Sequence, residues 1–290
     1  MTVIKKLISI IICLFPLFTH AVDIIRYNPP HSKLDLRNTY PLQIISAALE
    51  ATRAEYGDYI IEYSPVLLRR DRALQELHKG KLINIYAAPS AKIWEQSITP
   101  IYFPILRGLL NYRRLLINKE DAQRFAALQS IEQLKSFKAG LGLQWSTTKT
   151  LQSQNFDVVT SNSYEGLFFM LHRRRFDYII RGINEVYYEF SERTKKFPEM
   201  IIEETKVLHL PLPVFLFVSP SQPRLQERIE KGLWIIHKNG VFDQIFHQFH
   251  DQSIRRSDIK NKTVFDIESN QITPHPIYNN PELWFNPLDY

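Results

Sequence analysis

Segments with the features of strands and helices alternate along almost the whole chain, and this alternation constrains the fold most strongly. Short apolar runs such as Tyr59–Tyr63 predict strands, and each is followed by a segment whose apolar residues recur at helical spacing. One such helix is predicted from Arg70 to Lys79, with Gly80 as its end. Strands that alternate with helices favour an α/β fold in which a mostly parallel sheet is covered by helices on both faces.

The last third of the chain departs from this alternation. Two apolar strands, Lys206–Leu210 and Val214–Val218, follow each other directly, and the pattern then predicts helices over 221–238 and 241–250. From 257 onward the periodicity fades, and the proline- and aromatic-rich residues 257–290 predict an extended tail on the surface.

The N-terminus has the organisation of a secretory signal peptide. Lys5 and Lys6 precede the apolar run Leu7–Phe18, and small residues lead to a cleavage site after Ala21. The run is about 12 residues long, whereas a membrane-spanning helix needs roughly 20. Residues 1–21 are therefore predicted to be removed on export to a bacterial periplasm, the alternative being an uncleaved membrane anchor.

The exported chain would begin at Val22 and contain 269 residues with a net charge of +4. Its hydrophobic content, 44% for the whole sequence, excludes a disordered chain. The basic excess is too small and too dispersed to predict nucleic-acid binding. The only cysteine, Cys13, lies in the signal peptide, so no disulfide is expected. No other segment is long and apolar enough to predict a membrane span.

Several segments, taken in order, resemble the type II periplasmic solute-binding proteins, in particular the family-3 group of amino-acid-type receptors. They are Arg72–Ala88, Ile98–Tyr102, Ser130–Gly142 and Ser163–Asn184, within an overall resemblance that covers 22–250. The motif Arg181-Gly-Ile-Asn-Glu185, together with Leu109-Leu-Asn-Tyr-Arg113 and the aromatic tail, is typical of a separate bacterial branch of that superfamily.

The resemblance implies two lobes joined by two hinge crossings, with a ligand held between them and enclosed by closure of the lobes. The expected boundaries are 22–108 plus 211–256 for lobe 1, 109–210 for lobe 2, and crossings near 107–111 and 210–213.

Two departures from the family pattern bear on the ligand. The arginine with which these receptors hold a ligand carboxylate is missing, and Lys92 is its nearest substitute. Where they hold the ligand amine with an aspartate, this chain has Arg181 and Gly182. The resemblance therefore implies a polar or anionic solute facing Arg181 rather than an ordinary zwitterionic amino acid. The alternative role of Arg181 is a structural salt bridge to Glu185, four residues on.

Six further residues are candidates for the cleft. Trp145, Ser146 and Thr147 occupy the position at which the family presents a helix N-terminus to the ligand, an arrangement that suits anions. Arg107 lies at the first crossing, and Tyr27 and Tyr102 are candidate aromatic walls. For each the alternative is an ordinary cap, hinge or core residue.

Enzyme signatures are weak. The sequence contains no Gly-x-Ser-x-Gly elbow, no phosphate-binding glycine loop and no His-Glu-x-x-His motif. Asp243, His247 and His250 share one predicted helix face, but such residues are more typical of a solvated surface than of a metal site. No cofactor or metal is expected, and a dehydratase-like enzyme using Glu185 remains a minor alternative.

The favoured interpretation is a monomeric periplasmic protein that binds a small-molecule ligand for an ABC-type transporter or a sensor. Its partner would be an inner-membrane permease or sensor, and nucleic acid is not expected. The main alternative is a protein-interaction module of the cell envelope that uses the aromatic residues of 272–290.

Overall fold

The computed structural model of the chain describes residues 22–269, 271–287 and 290. The signal-peptide prediction lies outside these described residues. The strands are β1 Asp23–Tyr27, β2 Tyr59–Tyr63, β3 Ile85–Pro89, β4 Pro100–Ile101, β5 Tyr112–Asn118, β6 Ala139–Gly142, β7 Val158–Ser161, β8 Tyr178–Gly182, β9 Met200–Ile202, β10 Lys206–His209, β11 Val214–Val218 and β12 Thr263–Asp266. The α-helices are α1 Thr39–Ala51, α2 Arg53–Tyr56, α3 Arg70–Lys79, α4 Lys92–Ser97, α5 Ala122–Ala126, α6 Ile131–Lys135, α7 Ser146–Ser153, α8 Tyr164–His172, α9 Val186–Arg193, α10 Pro223–Lys238 and α11 Val241–Ser257.

Lobe 1 is built from β1–β4 and β11. β1 pairs with β2 in parallel, while β11 lies antiparallel between β3 and β4. The buried side chain of Asn84 joins the two groups of strands: it accepts a hydrogen bond from the Arg26 amide (2.7 Å) and donates one to the Ile24 carbonyl (2.6 Å). This side chain satisfies the backbone of β1 where a regular ladder is missing.

Lobe 2 contains one larger sheet with the strand order β12-β10-β5-β8-β6-β7, with β9 also paired to β5. β6 runs parallel to β7 and β8, whereas β5 runs antiparallel to β8, β9 and β10. Leu115 and Ile117 of β5 pack into one apolar cluster, and Leu116 between them packs into another on the opposite face. Because successive strand residues point to opposite faces, a sheet covered on both sides requires such an uninterrupted apolar run.

The chain crosses from lobe 1 to lobe 2 after β4 and returns to lobe 1 after β10. It crosses again near its end, where the sequence predicted only an extended tail: β12 pairs in parallel with β10 at the edge of the lobe 2 sheet. This pairing joins segments about 57 residues apart, and local periodicity carries no signal for it. The remaining tail returns to the hinge, where the Phe285 amide donates to the Arg107 carbonyl (2.6 Å).

These observations confirm the predicted α/β architecture of two lobes in which sheets are flanked by helices. Within the described ranges, no helix combines the length and the apolar character that crossing a membrane requires.

Candidate functional site

A cleft of about 240 Å³ lies between the two lobes. Lobe 1 contributes the ends of β1 and β3, the segment 28–38 that follows β1, and the start of α3; lobe 2 contributes the start of β5, the ends of β6 and β8, and the start of α7. Loops at strand ends are the usual place for ligands in such sheets because side chains from several strands converge there.

The cleft carries a marked excess of positive charge. Five arginines line it, against two carboxylates. The arginines are Arg37, Arg69, Arg70, Arg113 and Arg181, and the carboxylates are Asp35 and Glu185. The chemistry of the site depends on which of these arginines already have partners.

Arg37 is fully engaged by Asp35. Its Nε and Nη2 donate to the two carboxylate oxygens at 2.6 and 2.7 Å. Burial alone would raise the pKa of Asp35, but the hydrogen bonds and charge of Arg37 outweigh it and hold that pKa at about 2. The Arg37 guanidinium also lies 4.5 Å from the ring centre of Tyr164 on the opposite lobe.

Arg181 is engaged by two carboxylates. It donates to both oxygens of Glu189 at 2.6 and 2.5 Å and lies 2.9 Å from an oxygen of Glu185. Burial raises the pKa of Glu185, although the Arg181 charge opposes this shift. The guanidinium stacks on Trp145 at 4.5 Å, and Tyr164 donates to Glu189. Arg181 therefore combines the two features considered from the sequence: it lines the cleft, and it forms the ion pair with Glu185.

Arg113 is the arginine without a partner. It is the second residue of β5 and is 3% exposed, and its side chain forms no hydrogen bond or ion pair with any residue that the structure describes. Burial lowers the pKa of its guanidinium to about 10, with Glu185 opposing and Arg181 adding to the effect. Sequence reasoning missed this residue, although the motif Leu109-Leu-Asn-Tyr-Arg113 contained it.

The start of α7 provides uncharged polar groups beside these arginines. Ser146 and Thr147 line the cleft, and the hydroxyl of Ser146 and the side-chain oxygen of Gln144 are buried without a partner among the described residues. The first amides of a helix have no partner within it and favour anions. Trp145 packs against Gly142, where a Cβ atom would lie 2.4 Å from its ring.

Direct contacts hold the two lobes together at the cleft. The Ser32 hydroxyl of lobe 1 donates to Glu165 of lobe 2 at 3.0 Å, and Arg69 donates to Asn162 at 3.3 Å. Both hydrogen bonds separate if the lobes open.

Five of the residues predicted from the sequence meet in this cleft: Tyr27, Trp145, Ser146, Thr147 and Arg181. The other three, Arg107, Tyr102 and Lys92, do not line it. Arg107 is held at the hinge by Asp243 (2.7 Å) and the carbonyl of Glu282 (2.8 Å).

Tyr102 and Lys92 lie outside the cleft, and both contact the tail. Tyr102 stacks on His275 with ring centres 3.6 Å apart. Lys92 begins α4 with its side chain exposed, and its amide donates to the carbonyl of Gln271 (2.9 Å). Because the tail lies far away in sequence, local patterns did not reveal either contact.

Within the residues that the structure describes, no group of three or more His, Cys, Asp or Glu side chains is placed to hold a metal ion. Asp243 pairs with Arg107, His247 bonds Asp251 (2.7 Å), and His250 is buried against Tyr40.

No protein-family model and no curated protein sequence matches the chain. Its fold is similar to several solved structures. A histidine kinase sensor domain with similarity to periplasmic binding proteins aligns with a TM-score of 0.57 at 15% identity, covering 79% of this chain and 96% of that one. A Salmonella typhimurium periplasmic binding protein with high arginine specificity aligns with a TM-score of 0.56 at 15% identity, covering 79% and 100%.

An ancestral amino-acid-binding protein, described as a precursor of cyclohexadienyl dehydratase, aligns with a TM-score of 0.56 at 13% identity, covering 79% of this chain and 95% of that one. The shared architecture extends over nearly the whole length of each of these proteins. The chain therefore has the two-lobed α/β fold of the type II periplasmic binding proteins.

Proposed function

We propose that the protein is a periplasmic solute-binding protein that captures a small anionic solute between its lobes. The observation that carries this proposal is Arg113, a cleft-lining guanidinium that is 3% exposed and has no partner among the described residues. A buried charge without a counterion is costly, and an anionic ligand removes that cost when it binds.

The surroundings of Arg113 suit an anion. The charge excess of the cleft is positive, and the Ser146 hydroxyl and the first amides of α7 offer neutral hydrogen-bond donors. Arg181, which the sequence favoured as the ligand contact, has its charge matched by Glu185 and Glu189. We therefore assign Arg181 the role of shaping the cleft wall, and Arg113 that of holding the solute.

Binding would favour the closed arrangement of the lobes. The contacts Ser32–Glu165 and Arg69–Asn162 join the two lobes beside the cleft and add to the stability of the closed state. A solute that touches both lobes stabilises the closed state by its differential affinity for that state. The closed state is then the form that a partner in the inner membrane would recognise.

Two partners are compatible with this role, a transporter permease and a signalling receptor. The similar structures include substrate-binding proteins of amino-acid ABC transporters and a histidine kinase sensor domain. The predicted signal peptide over 1–21 supports a periplasmic location for either role.

The alternatives have less support. In a dehydratase the acid would be Glu185, but that carboxylate already pairs with Arg181 and accepts the Gly182 amide at 3.0 Å. An interaction module would use the tail aromatics, but His275 stacks on Tyr102 and Trp284 packs against the hinge glycine Gly108.

A thermal-shift screen tests the proposal. The protein is denatured and refolded to release any bound solute, then screened against carboxylates, phosphorylated metabolites, amino acids and sugars. A ligand at 1,000 times its Kd adds about 4 kcal/mol to the free energy of unfolding.

We expect anions to raise the Tm of the wild type and of Arg175→Gln, which removes an exposed lobe 2 arginine outside the cleft. Arg113→Gln should abolish the response. A response limited to neutral sugars, or one that survives in Arg113→Gln, would contradict the proposal.

A further inference from the structure

The second arginine without a carboxylate partner extends the proposed function to a ligand class. We propose that the solute is a dianion whose two acidic groups bridge the lobes, one held by Arg113 of lobe 2 and the other by Arg70 of lobe 1. This inference rests on the proposed function, because it concerns the same cleft.

Arg70 is fixed in place without being neutralised. It begins α3 and lines the cleft, its Nη2 donates to the Pro89 carbonyl at 2.9 Å, and its guanidinium lies 4.5 Å from the ring centre of Trp94. It forms no ion pair with any carboxylate among the described residues, and burial lowers its pKa to about 10. A carbonyl and an aromatic face orient a guanidinium but supply no negative charge, so most of its five N–H donors remain available.

The remaining arginines of the cleft need no ligand charge. Asp35 matches Arg37, and Glu185 and Glu189 match Arg181. Arg69 is exposed at the mouth, where water screens its charge. Arg70 and Arg113 are therefore the two cleft arginines that no carboxylate pairs with, and each can take one acidic group of the ligand.

A zwitterionic amino acid does not fit this distribution. Its carboxylate could match one of the two arginines, but its ammonium would need an acid with a free oxygen. Asp35 and Glu185, the two carboxylates of the cleft wall, are already paired with arginines. A second positive charge beside Arg70 or Arg113 would be repelled.

The position of the two arginines on opposite lobes gives the second acidic group a specific effect. Arg70 moves with α3 and β3, whereas Arg113 moves with β5. A ligand with acidic groups at both ends contacts both lobes only when they are closed, so the second group favours closure as well as affinity. A monoanion of the same length can satisfy one arginine and leaves the other uncompensated.

Neutral groups of lobe 2 indicate what lies between the acidic ends. The side-chain oxygens of Gln144 and Asn184 line the cleft, and neither has a partner among the described residues. Whichever way each amide is turned, it offers an unmet hydrogen bond to a hydroxyl or carbonyl of the ligand. The class that fits is a short, hydroxylated or oxo-substituted dicarboxylate, or a phosphorylated short-chain acid.

Isothermal titration calorimetry with matched probes tests the inference on the full protein after refolding. Succinate is compared with butyrate, and 3-phosphoglycerate with glycerate, so that each pair differs in one acidic group; glutamine is the zwitterionic probe. We expect the member with two acidic groups of at least one pair to bind more tightly than its partner with one by roughly 10- to 100-fold. Arg70→Gln should remove that advantage and bring the two affinities together, whereas Arg113→Gln should abolish binding and Arg175→Gln should change nothing.

A second readout does not depend on the choice of probes. Small molecules released by denaturing the protein as purified are identified by mass spectrometry, and a compound with two acidic groups should be recovered from the wild type but not from Arg113→Gln.

The failures of the two proposals are distinguishable. Equal affinities for the members of both pairs, or a dianion affinity unaffected by Arg70→Gln, would overturn the dianion and leave anion binding intact. Binding of glutamine alone, or release of a neutral compound, would overturn both. Absence of binding by every dianion together with release of a monoanion would also reject the bridging role of Arg70.

Discussion

Arg113 should make the unliganded protein less stable than it would be with an apolar side chain at the same position. We predict that Arg113→Met raises the free energy of unfolding of the ligand-free protein. The guanidinium is 3% exposed and has no partner among the described residues, so folding removes most of its water and supplies no counterion. Methionine fills a similar length with a flexible apolar chain and carries no charge.

The size of the effect follows from the pKa of the group. Burial lowers it from 12.5 to about 10, and one pKa unit corresponds to about 1.4 kcal/mol. The charged form of Arg113 therefore costs about 3 kcal/mol in the empty cleft, which is an upper limit on the gain. For a protein of this size, where 1 kcal/mol moves Tm by roughly 2–4 °C, the expected rise is on the order of 5 °C.

The neighbouring residue supplies the matched control. Arg114 is equally buried at 1% exposed, but it donates to the carbonyls of Glu203 (2.5 Å) and Ser257 (2.9 Å). Arg114→Met leaves those two acceptors without a donor and should destabilise the protein by about 2 kcal/mol or more.

Differential scanning calorimetry on refolded, ligand-free protein measures both variants. A fall in Tm for Arg113→Met comparable to that for Arg114→Met would refute the reasoning, because it would mean that the Arg113 side chain contributes to stability without a ligand.

Three further outcomes are expected. The pKa of Asp35 is lowered from 3.8 to about 2, so its pairing with Arg37 stabilises the folded protein by about 2 kcal/mol above pH 4, and this stabilisation is lost as the pH falls through 2. Acid unfolding followed by circular dichroism should show the stability difference between wild type and Asp35→Asn shrinking over this range. A difference that stays constant down to pH 2 would contradict the prediction. Gly232→Ala should lower the free energy of unfolding in urea by about 2 kcal/mol, because the added Cβ would lie 2.2 Å from the Ala48 carbonyl oxygen where α1 meets α10. A Gly232→Ala variant as stable as the wild type would show that the two helices can move apart without cost. Trp284→Ala should lower Tm without changing solute affinity, because the ring packs against Gly108 at the hinge and does not line the cleft. An unchanged Tm together with lost affinity would show that Trp284 acts in solute binding rather than in packing.

Much of the fold could be predicted from the sequence because its signals are local. The helix over Arg70–Lys79 was predicted with the observed bounds, since a residue spacing and the stop at Gly80 define it. The last helix was predicted to end at His250 but continues to Ser257, because the buried Ile254 extends its apolar face beyond the aromatic residues that defined the prediction. The strand β12 was missed because its pairing with β10 is not local.

The candidate site was predicted less completely. Five of the predicted ligand-site residues, which follow strand ends or begin a helix, line the cleft: Trp145, Ser146, Thr147, Tyr27 and Arg181. Arg107, Tyr102 and Lys92 were assigned to the same region from their place in the chain, but the returning tail and α11 hold or cover them elsewhere.

The sequence by itself determined the alternation of strands and helices, because apolar spacing acts over a few residues, and the two-lobed architecture was implied by its resemblance to the periplasmic solute-binding proteins. It also indicated that Arg181, rather than an aspartate, stands at the end of β8. Only the tertiary structure decided which arginine is free. Glu189 reaches Arg181 from α9, eight residues away, while nothing that the structure describes reaches Arg113 one strand over. A charge is neutralised by its neighbours in space, and those neighbours are set by the packing of elements that local patterns do not relate to one another.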